Sequence, residues 1–251
     1  MLVVTPAPYA HESLFGYLIR LSESNGYHTP TVVTSYAGYP RGGLITFSSD
    51  LLGISEVTGV ELSKLESIGY VRQTDTSSVY QLRGVQVSNG RANWHLWRNQ
   101  RSVCPQCIHE LGYIEAYWDL KFAVACPRHG IKALQHCPAC GDKLSWKRRG
   151  LLTCHCGATL TSNTCHKLDS PTHHLLGLIH EHLHGEKIPS LDEDYFPKQV
   201  RSLKLPELLH LVSTLGKFGV LPVRQDREKQ KTIDPHLKAA AEALALSLIH
   251  I

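Results

Sequence analysis

Four short motifs that contain cysteine or histidine lie close together in the middle of the chain: Cys104-Pro-Gln-Cys107, Cys126-Pro-Arg-His129, Cys137-Pro-Ala-Cys140 and Cys154-His-Cys156. They hold seven of the eight cysteines. A Cys-x-x-Cys turn suits Zn²⁺, because it brings two thiolates within about 2.3 Å of one ion while backbone N–H groups point at the sulfurs. A glycine follows the second ligand of three motifs, where the chain must turn sharply. These are Gly130, Gly141 and Gly157.

The spacing predicts two structural Zn²⁺ ions. Sequential pairing gives a Cys₃His site from Cys104, Cys107, Cys126 and His129, and a Cys₄ site from Cys137, Cys140, Cys154 and Cys156. Both sets are closed at four ligands, whereas catalytic zinc sites keep an open position. The intervals between paired motifs, 18 and 13 residues, each suit one small ribbon. An interleaved cross-brace, with the first motif paired to the third and the second to the fourth, fits the same residues.

A disulfide framework is the alternative for these cysteines, but such frameworks are typical of short secreted chains. This chain has 251 residues, and the segment from Met1 to Pro6 lacks the basic region of a signal peptide. The longest apolar stretch, 239–251, is interrupted by Glu242 and is too short to cross a bilayer. We therefore expect a cytoplasmic protein without membrane contact. The net charge of +4 permits nucleic-acid binding without predicting it.

Two helical patterns precede the metal motifs. The first has apolar residues at i, i+3, i+4 and i+7 from Leu14 to Leu21 and ends at Asn25-Gly26. The second, between Ser49 and Ile68, has a turn at Gly59 between two short amphipathic helices, which is typical of a helix-turn-helix. An ordinary αα-hairpin shares most of this pattern. The second helix has two acidic residues and one basic residue on its polar face, which suits protein docking at least as well as DNA reading.

Two further stretches surround the motifs. Alternating residues from Tyr70 onwards predict irregular β-structure with a turn at Ser88-Asn-Gly90. The aromatic residues between the first two motifs, including Tyr117 and Trp118, predict a small core over the metal, and a base-stacking platform is the alternative. The sharpest basic run is Lys147, Arg148 and Arg149. It is interpreted either as a phosphate-binding tip of the second ribbon or as a solvated loop.

The last part of the chain is expected to be helical again, in segments around Leu175–Leu183, from Leu205 to Gly216 or Gly219, and 235–251. The last segment has no capping glycine, so we expect a shortened chain or a helix that a partner completes, with a homodimer as one option. The histidines His180, His182 and His184 are expected at solvent-exposed positions of a helix. Cys165-His166 lacks a third member of a catalytic triad.

The predicted fold is mixed and mainly α, with small β zinc ribbons. It has three regions: residues 1–103 with the helix-turn-helix and a β linker, residues 104–165 with tandem zinc ribbons, and residues 166–251 with helices. The sequence contains no P-loop, no Gly-x-Ser-x-Gly and no His-Glu-x-x-His. A zinc hydrolase would need an open coordination position, which the two closed sets do not offer. We therefore do not expect an enzyme.

Several of these stretches resemble the TniQ family of transposon target-selection proteins. The similar parts are Pro8 to Leu21, Leu51 to Leu65, the first two metal motifs with Tyr113 and Trp118, and the second zinc set, so the resemblance covers roughly residues 6 to 160. It implies an N-terminal helix-turn-helix domain, tandem zinc ribbons and a role that links a chosen DNA site to an AAA+ transposition regulator. Some members of the family sit on a CRISPR effector complex instead of reading DNA.

The sequence thus predicts an adaptor in DNA transposition whose partners are an AAA+ ATPase and either target DNA or a CRISPR effector complex. The alternative is a sequence-specific DNA-binding regulator. Hot spots of adaptor surfaces are usually aromatic residues or arginines on an ordered scaffold. The candidates are Tyr17, Arg20, Trp94 and Trp97. The alternative for each is a residue of the core or of a surface without a partner.

Overall fold

A computed structural model describes residues 2–40, 50–73, 78–88, 96, 102–161, 167–219 and 235–246. The predicted turn at Asn89-Gly90, the aromatic candidates Trp94 and Trp97, and the Cys165-His166 pair lie outside these residues.

The N-terminal part contains four helices: α1 (Leu14–Ser24), α2 (Thr31–Tyr36), α3 (Leu52–Thr58) and α4 (Leu62–Ile68). The predicted apolar stripe of α1 is buried, and Ser13 caps the helix because its side chain accepts a hydrogen bond from the Gly16 N–H. Helices α3 and α4 meet at Gly59, whose φ of 69° is left-handed. Two short helices joined at the expected glycine are therefore confirmed, and helix-turn-helix geometry stays a prediction.

The predicted β-structure is a small antiparallel sheet of three strands in sequence order: β1 (Val71–Gln73), β2 (Ser78–Leu82) and β3 (Val85–Gln86). The turn between β2 and β3 consists of Arg83 and Gly84, which have φ angles of 53° and 76°. Two successive left-handed residues match the twist of a two-residue hairpin. This turn directs the Arg83 side chain towards the start of α1 and the C-terminal helices.

The segment with the first two motifs folds into α5 (Pro105–Leu111), a 3₁₀ helix (Ala116–Asp119) and the antiparallel pair β4 (Ala125–Cys126) and β5 (Ile131–Lys132). Tyr117 and Trp118 are buried, as the core interpretation predicts, and the Tyr117 hydroxyl donates to the Ala125 carbonyl at 3.0 Å. In the second motif pair, the described residues form isolated bridges, His136 with Lys143 and Thr153 with Thr159. Tandem ribbons therefore remain a prediction.

The C-terminal part contains α6 (Ser170–His184), α7 (Lys198–Arg201), α8 (Leu205–Gly219) and α9 (Pro235–Leu246), and α6, α8 and α9 pack on one another. The predicted apolar face of α6 is buried, and Asp169 caps the helix by accepting from the Thr172 N–H. Within the described part of the chain, no helix has the length and apolar character needed to span a bilayer.

Buried residues from all three predicted regions form one hydrophobic core. Backbone and side-chain contacts cross the expected boundaries. The Ser13 N–H donates to the Ile114 carbonyl at 2.8 Å, and the Glu23 carboxylate accepts from the Leu151 N–H at 3.0 Å. The rings of Phe15 and Trp146 are 5.3 Å apart. The metal motifs are therefore built into the packing of α1.

Candidate metal centres

The first two motifs bring four ligand atoms together. His129 Nδ1 lies 3.3 Å from the sulfurs of Cys107 and Cys126 and 3.5 Å from that of Cys104. The Cys107 and Cys126 sulfurs are 3.3 Å apart. Tetrahedral Zn²⁺ with ordinary bond lengths places neighbouring ligand atoms about 3.5–3.8 Å apart. Small adjustments of the side chains would therefore allow this set to bind one ion.

Local structure positions each of these ligands. Cys104 is the N-cap residue of α5 and Cys107 lies in its first turn, while β4 ends at Cys126. The chain then reverses at Gly130, whose φ of 62° is left-handed, so that His129 faces the three sulfurs. The three cysteines are at most 1% exposed. The cluster is thus a part of the core.

Glu110 completes this cluster from outside the ligand set. Its Oε1 lies 3.0 Å from His129 Nε2. Because Nδ1 faces the sulfurs, Nε2 carries the hydrogen of the neutral ring and donates it to the carboxylate. The motifs alone do not reveal Glu110, but it follows Cys107 by three residues on α5, and residues three apart share a helix face.

The last two motifs bring together Cys137, Cys140, Cys154 and Cys156, whose sulfurs all lie within 4.8 Å of one another. The Cys137–Cys156 and Cys140–Cys154 sulfur pairs are 3.8 and 3.9 Å apart, close to the tetrahedral value. Hydrogen bonds from the backbone N–H groups of Cys140 and Ala139 lower the pKa of the Cys137 thiol to about 7. The thiolate form, which is the metal ligand, is therefore more populated at neutral pH than in an ordinary cysteine.

The two clusters differ in their surroundings. Cys140 and Cys156 are exposed, whereas Cys137 and Cys154 are buried. His155 lies beside the second cluster, with Nδ1 3.4 Å from the Cys154 sulfur and Nε2 3.2 Å from Asp142. The structure assembles the sequential ligand sets and not the cross-brace. Thiolate and imidazole donors in closed sets of four could hold metal ions and are compatible with structural zinc.

The three residues of the basic run beside the second cluster differ in their exposure to solvent. Lys147 and Arg149 are exposed, whereas Arg148 is 1% exposed. The Arg148 guanidinium donates to the carbonyls of Gly150 and Ser145, each at 3.1 Å. The expectation that all three residues meet phosphate is corrected for Arg148, because its charged group holds the loop together from inside. Lys147 and Arg149 remain candidates.

A family model describes a large part of the chain. The model named TniQ matches residues 3–133, which is more than half of the 251 residues. The chain belongs to the TniQ family. The match includes α1 to α4 and the first metal cluster, and the second cluster lies beyond it. No curated protein matches the chain. As a TniQ protein, the chain is associated with DNA transposition.

The TniQ chain also has buried and half-buried titratable groups that the metal motifs do not explain. His11 precedes α1, Glu115 precedes the 3₁₀ helix and His184 ends α6, and one ligand atom from each lies within 4.8 Å of the others. The expected solvent exposure of the α6 histidines is wrong for His180 and His184, which are 1% and 7% exposed. This face of α6 packs on the metal-binding segment, where the His180 ring lies 5.5 Å from that of Tyr117.

The charges in this region balance one another. Arg128 donates to Glu115 Oε1 at 2.9 Å, and His180 Nε2 lies 3.5 Å from the same oxygen. Burial raises the pKa of Glu115, but its neighbours, His180 first, lower it to about 2. Glu115 is therefore ionised at neutral pH. Sequence spacing does not show this cluster, because its members come from distant segments.

Two of the proposed hot spots are also placed by the structure. Tyr17 is fully buried. Arg20 forms two hydrogen bonds to the Glu12 carboxylate, at 2.7 and 2.8 Å, and its guanidinium lies 4.6 Å from the ring centre of Tyr9. Tyr17 therefore belongs to the core alternative, and Arg20 is committed to a contact within the chain.

Proposed function

We propose that this TniQ protein is a non-enzymatic adaptor in DNA transposition. It holds two structural Zn²⁺ ions and links target-site recognition, by DNA or by a CRISPR effector complex, to an AAA+ transposition regulator. The proposal places the protein in the cytoplasm and keeps the helix-turn-helix, the tandem ribbons and the three regions of the sequence analysis as its working parts. Family membership supports the connection with transposition, and the structure supports the scaffold.

The observation that carries the proposal is that cysteines of both four-residue ligand sets belong to the same core as the N-terminal helices. The first set is buried next to Tyr117, and the second is fixed to α1 through Glu23, which accepts from the Leu151 N–H. Closed sets stabilise a fold and leave no position for a substrate. An adaptor needs such rigid surfaces and needs no reactive group.

The exposed side of α4 supports docking of a protein more than reading of bases. It presents two glutamates, two serines and one lysine: Glu61, Glu66, Ser63, Ser67 and Lys64. Lys64 lies 3.7 Å from Glu61, so its charge is partly compensated. A helix that reads the major groove usually offers arginine, lysine, asparagine or glutamine to base edges.

The second candidate is a sequence-specific DNA-binding regulator, and the second metal cluster favours it. Lys143, Lys147 and Arg149 are exposed on its surface, and the exposed acid among its loop residues, Asp142, lies 3.2 Å from His155. Exposed basic groups on a rigid loop suit contacts with the phosphate backbone. Such contacts give affinity without sequence information, so they serve both candidates.

Binding of the purified, zinc-loaded chain to a panel of DNA duplexes, alone and with the AAA+ regulator, separates the two candidates. The adaptor proposal predicts weak, salt-sensitive binding by the chain alone with little preference for sequence, and tighter binding when the ATPase and its nucleotide are present. Tight binding of one sequence without any partner would contradict the proposal and establish the DNA-binding regulator.

A further inference from the structure

The segment before α1 meets the end of α6 through two imidazole rings, those of His11 and His184. Their Nδ1 atoms are 3.0 Å apart and the ring planes differ by only 9°. The ring centroids are 5.0 Å apart, so the two nitrogens lie close to the line that joins the ring centres. The rings therefore meet edge to edge, with one nitrogen pointing at the other at hydrogen-bond distance.

This geometry requires one proton between the rings. Two bare nitrogens would oppose their lone pairs, and two protonated nitrogens would oppose their hydrogens, so one Nδ1 donates and the other accepts. Arg83 Nη1 lies 3.3 Å from His184 Nδ1, and a guanidinium can only donate. His184 is therefore the acceptor and His11 the donor. A metal ion shared by both rings would need lone pairs that converge, which these do not.

Arg83 spans the same junction by itself. Its Nε donates to the Ala10 carbonyl at 2.8 Å and its Nη1 to the Leu183 carbonyl at 3.0 Å. The imidazole pair and this guanidinium thus both join the two segments. Both contacts require a bare Nδ1 on His184, because this nitrogen faces the N–H of His11 and the guanidinium of Arg83.

The charged groups around the pair stabilise a positive charge on His11 but not on His184. His11 Nε2 faces Glu186 at 3.6 Å, so a positive charge on His11 has a partner. His184 is surrounded by Arg83, by His11 and by His180, whose ring is 4.4 Å away. Glu115 is the nearby acid, and Arg128 already holds it at 2.9 Å. A proton on His184 would therefore be buried among donors and positive charge.

We propose that His11 and His184 form an acid-sensitive latch, which joins the segment before α1 to the end of α6 and opens when His184 is protonated. Burial, reinforced by His180, lowers the pKa of His184 to about 2, and burial with Arg83 lowers the pKa of His11. The opened state takes up a proton near the ordinary histidine value of 6.5. The latch is thus fully stable above pH 6.5. Below this value its opening constant rises as the pH falls, and His184 contributes about tenfold per pH unit.

Amide hydrogen exchange of the full, zinc-loaded chain between pH 7.5 and 5.5 tests the latch, with rates corrected for the intrinsic effect of pH. In the wild type, the opening constant of residues 8–16 and 180–187 should rise at least about tenfold over this range, because His184 alone contributes about that factor and His11 adds to it. His184→Asn keeps an acceptor oxygen near the Nδ1 position but does not titrate, so its opening constant should rise less steeply than that of the wild type, by the contribution of His11 alone. His210→Asn, at an exposed position of α8, should behave like the wild type.

A flat response of both segments in the wild type would overturn the latch, as would a His184→Asn variant that keeps the wild-type slope. If His184→Asn does not fold, nitrogen-15 NMR of the imidazoles in the wild type decides the question. A bare Nδ1 on His184 at pH 5.5 in the closed protein supports the latch. A protonated His184 in a protein whose two segments stay protected overturns it.

Discussion

At the scale of single residues, Glu110 shows how a side chain outside a ligand set can control a metal site. To bind a metal ion, His129 would have to offer a bare Nδ1, and the 3.0 Å contact of its Nε2 with Glu110 favours that tautomer. The carboxylate also makes the imidazole a better donor to the metal. Because Glu110 is exposed, water can replace part of this interaction, so its effect is expected at the lower end of the usual range.

Glu110→Gln should therefore weaken zinc binding at the first cluster by about tenfold, since loss of such a partner typically costs 10–100-fold in affinity. Competition between the protein and a chromophoric chelator measures this affinity. Glu66→Gln, an exposed glutamate of α4, is the matched control and should leave both affinities unchanged. Equal affinities for wild type and Glu110→Gln would show that His129 is oriented by packing alone.

At the scale of elements, the two metal clusters differ in how deeply they are built into the fold. The first has three buried cysteines on α5 and β4, while the second exposes two of its four. Since metal binding supplies folding free energy, loss of a buried ligand should disturb the shared core, and loss of an exposed ligand should disturb its own loops.

Metal analysis of the wild type should accordingly give two Zn²⁺ per chain. Cys140→Ser should keep one ion and lose protection from hydrogen exchange mainly within 136–160, whereas Cys107→Ser should lose protection in α1 as well. Thr161→Ser, a conservative change outside both ligand sets, serves as control. One zinc or none in folded wild type would contradict the assignment of both clusters.

The basic loop of the second cluster gives a separate test at this scale. Replacement of Lys147 and Arg149 together by alanine should lower the salt dependence of DNA binding, log K against log salt, by up to about two units, because each phosphate contact contributes about 0.9. Arg148→Ala should instead lower the unfolding temperature, since its guanidinium bonds two backbone carbonyls. If the slope of log K against log salt is the same in the double variant and the wild type, these residues do not contact phosphate and the loop is a solvated one.

Some features of the elements follow from local sequence patterns, and others depend on contacts with distant segments. The stripe of α1, the turn at Gly59 and the metal motifs are local patterns, and the structure contains each of them. The burial of His180 and Arg148 is different, because it depends on which distant segments pack against these residues. Helical spacing shows that His180 and His184 share a face, but it does not show that the metal-binding segment covers that face.

At the scale of the whole molecule, one core connects the N-terminal helices, both clusters and α6. The Glu23 contact ties α1 to the second cluster, and the Ile114 carbonyl ties the start of α1 to the first. Ile54 of α3 and Leu65 of α4 belong to the same core. This connection suits a protein whose task is to hold two partners in a fixed relation.

Loading of the AAA+ regulator onto target DNA is the measurement that tests the adaptor claim most directly. Single-molecule counting of labelled ATPase on DNA, with and without the zinc-loaded chain, reports it, and the same preparation is assayed for nuclease and ATPase activity. We predict that the chain increases the loading, that it has neither activity alone, and that the folding-deficient Cys107→Ser variant has no effect. Unchanged loading by a folded, zinc-loaded chain, or cleavage of DNA by the chain alone, would contradict the account.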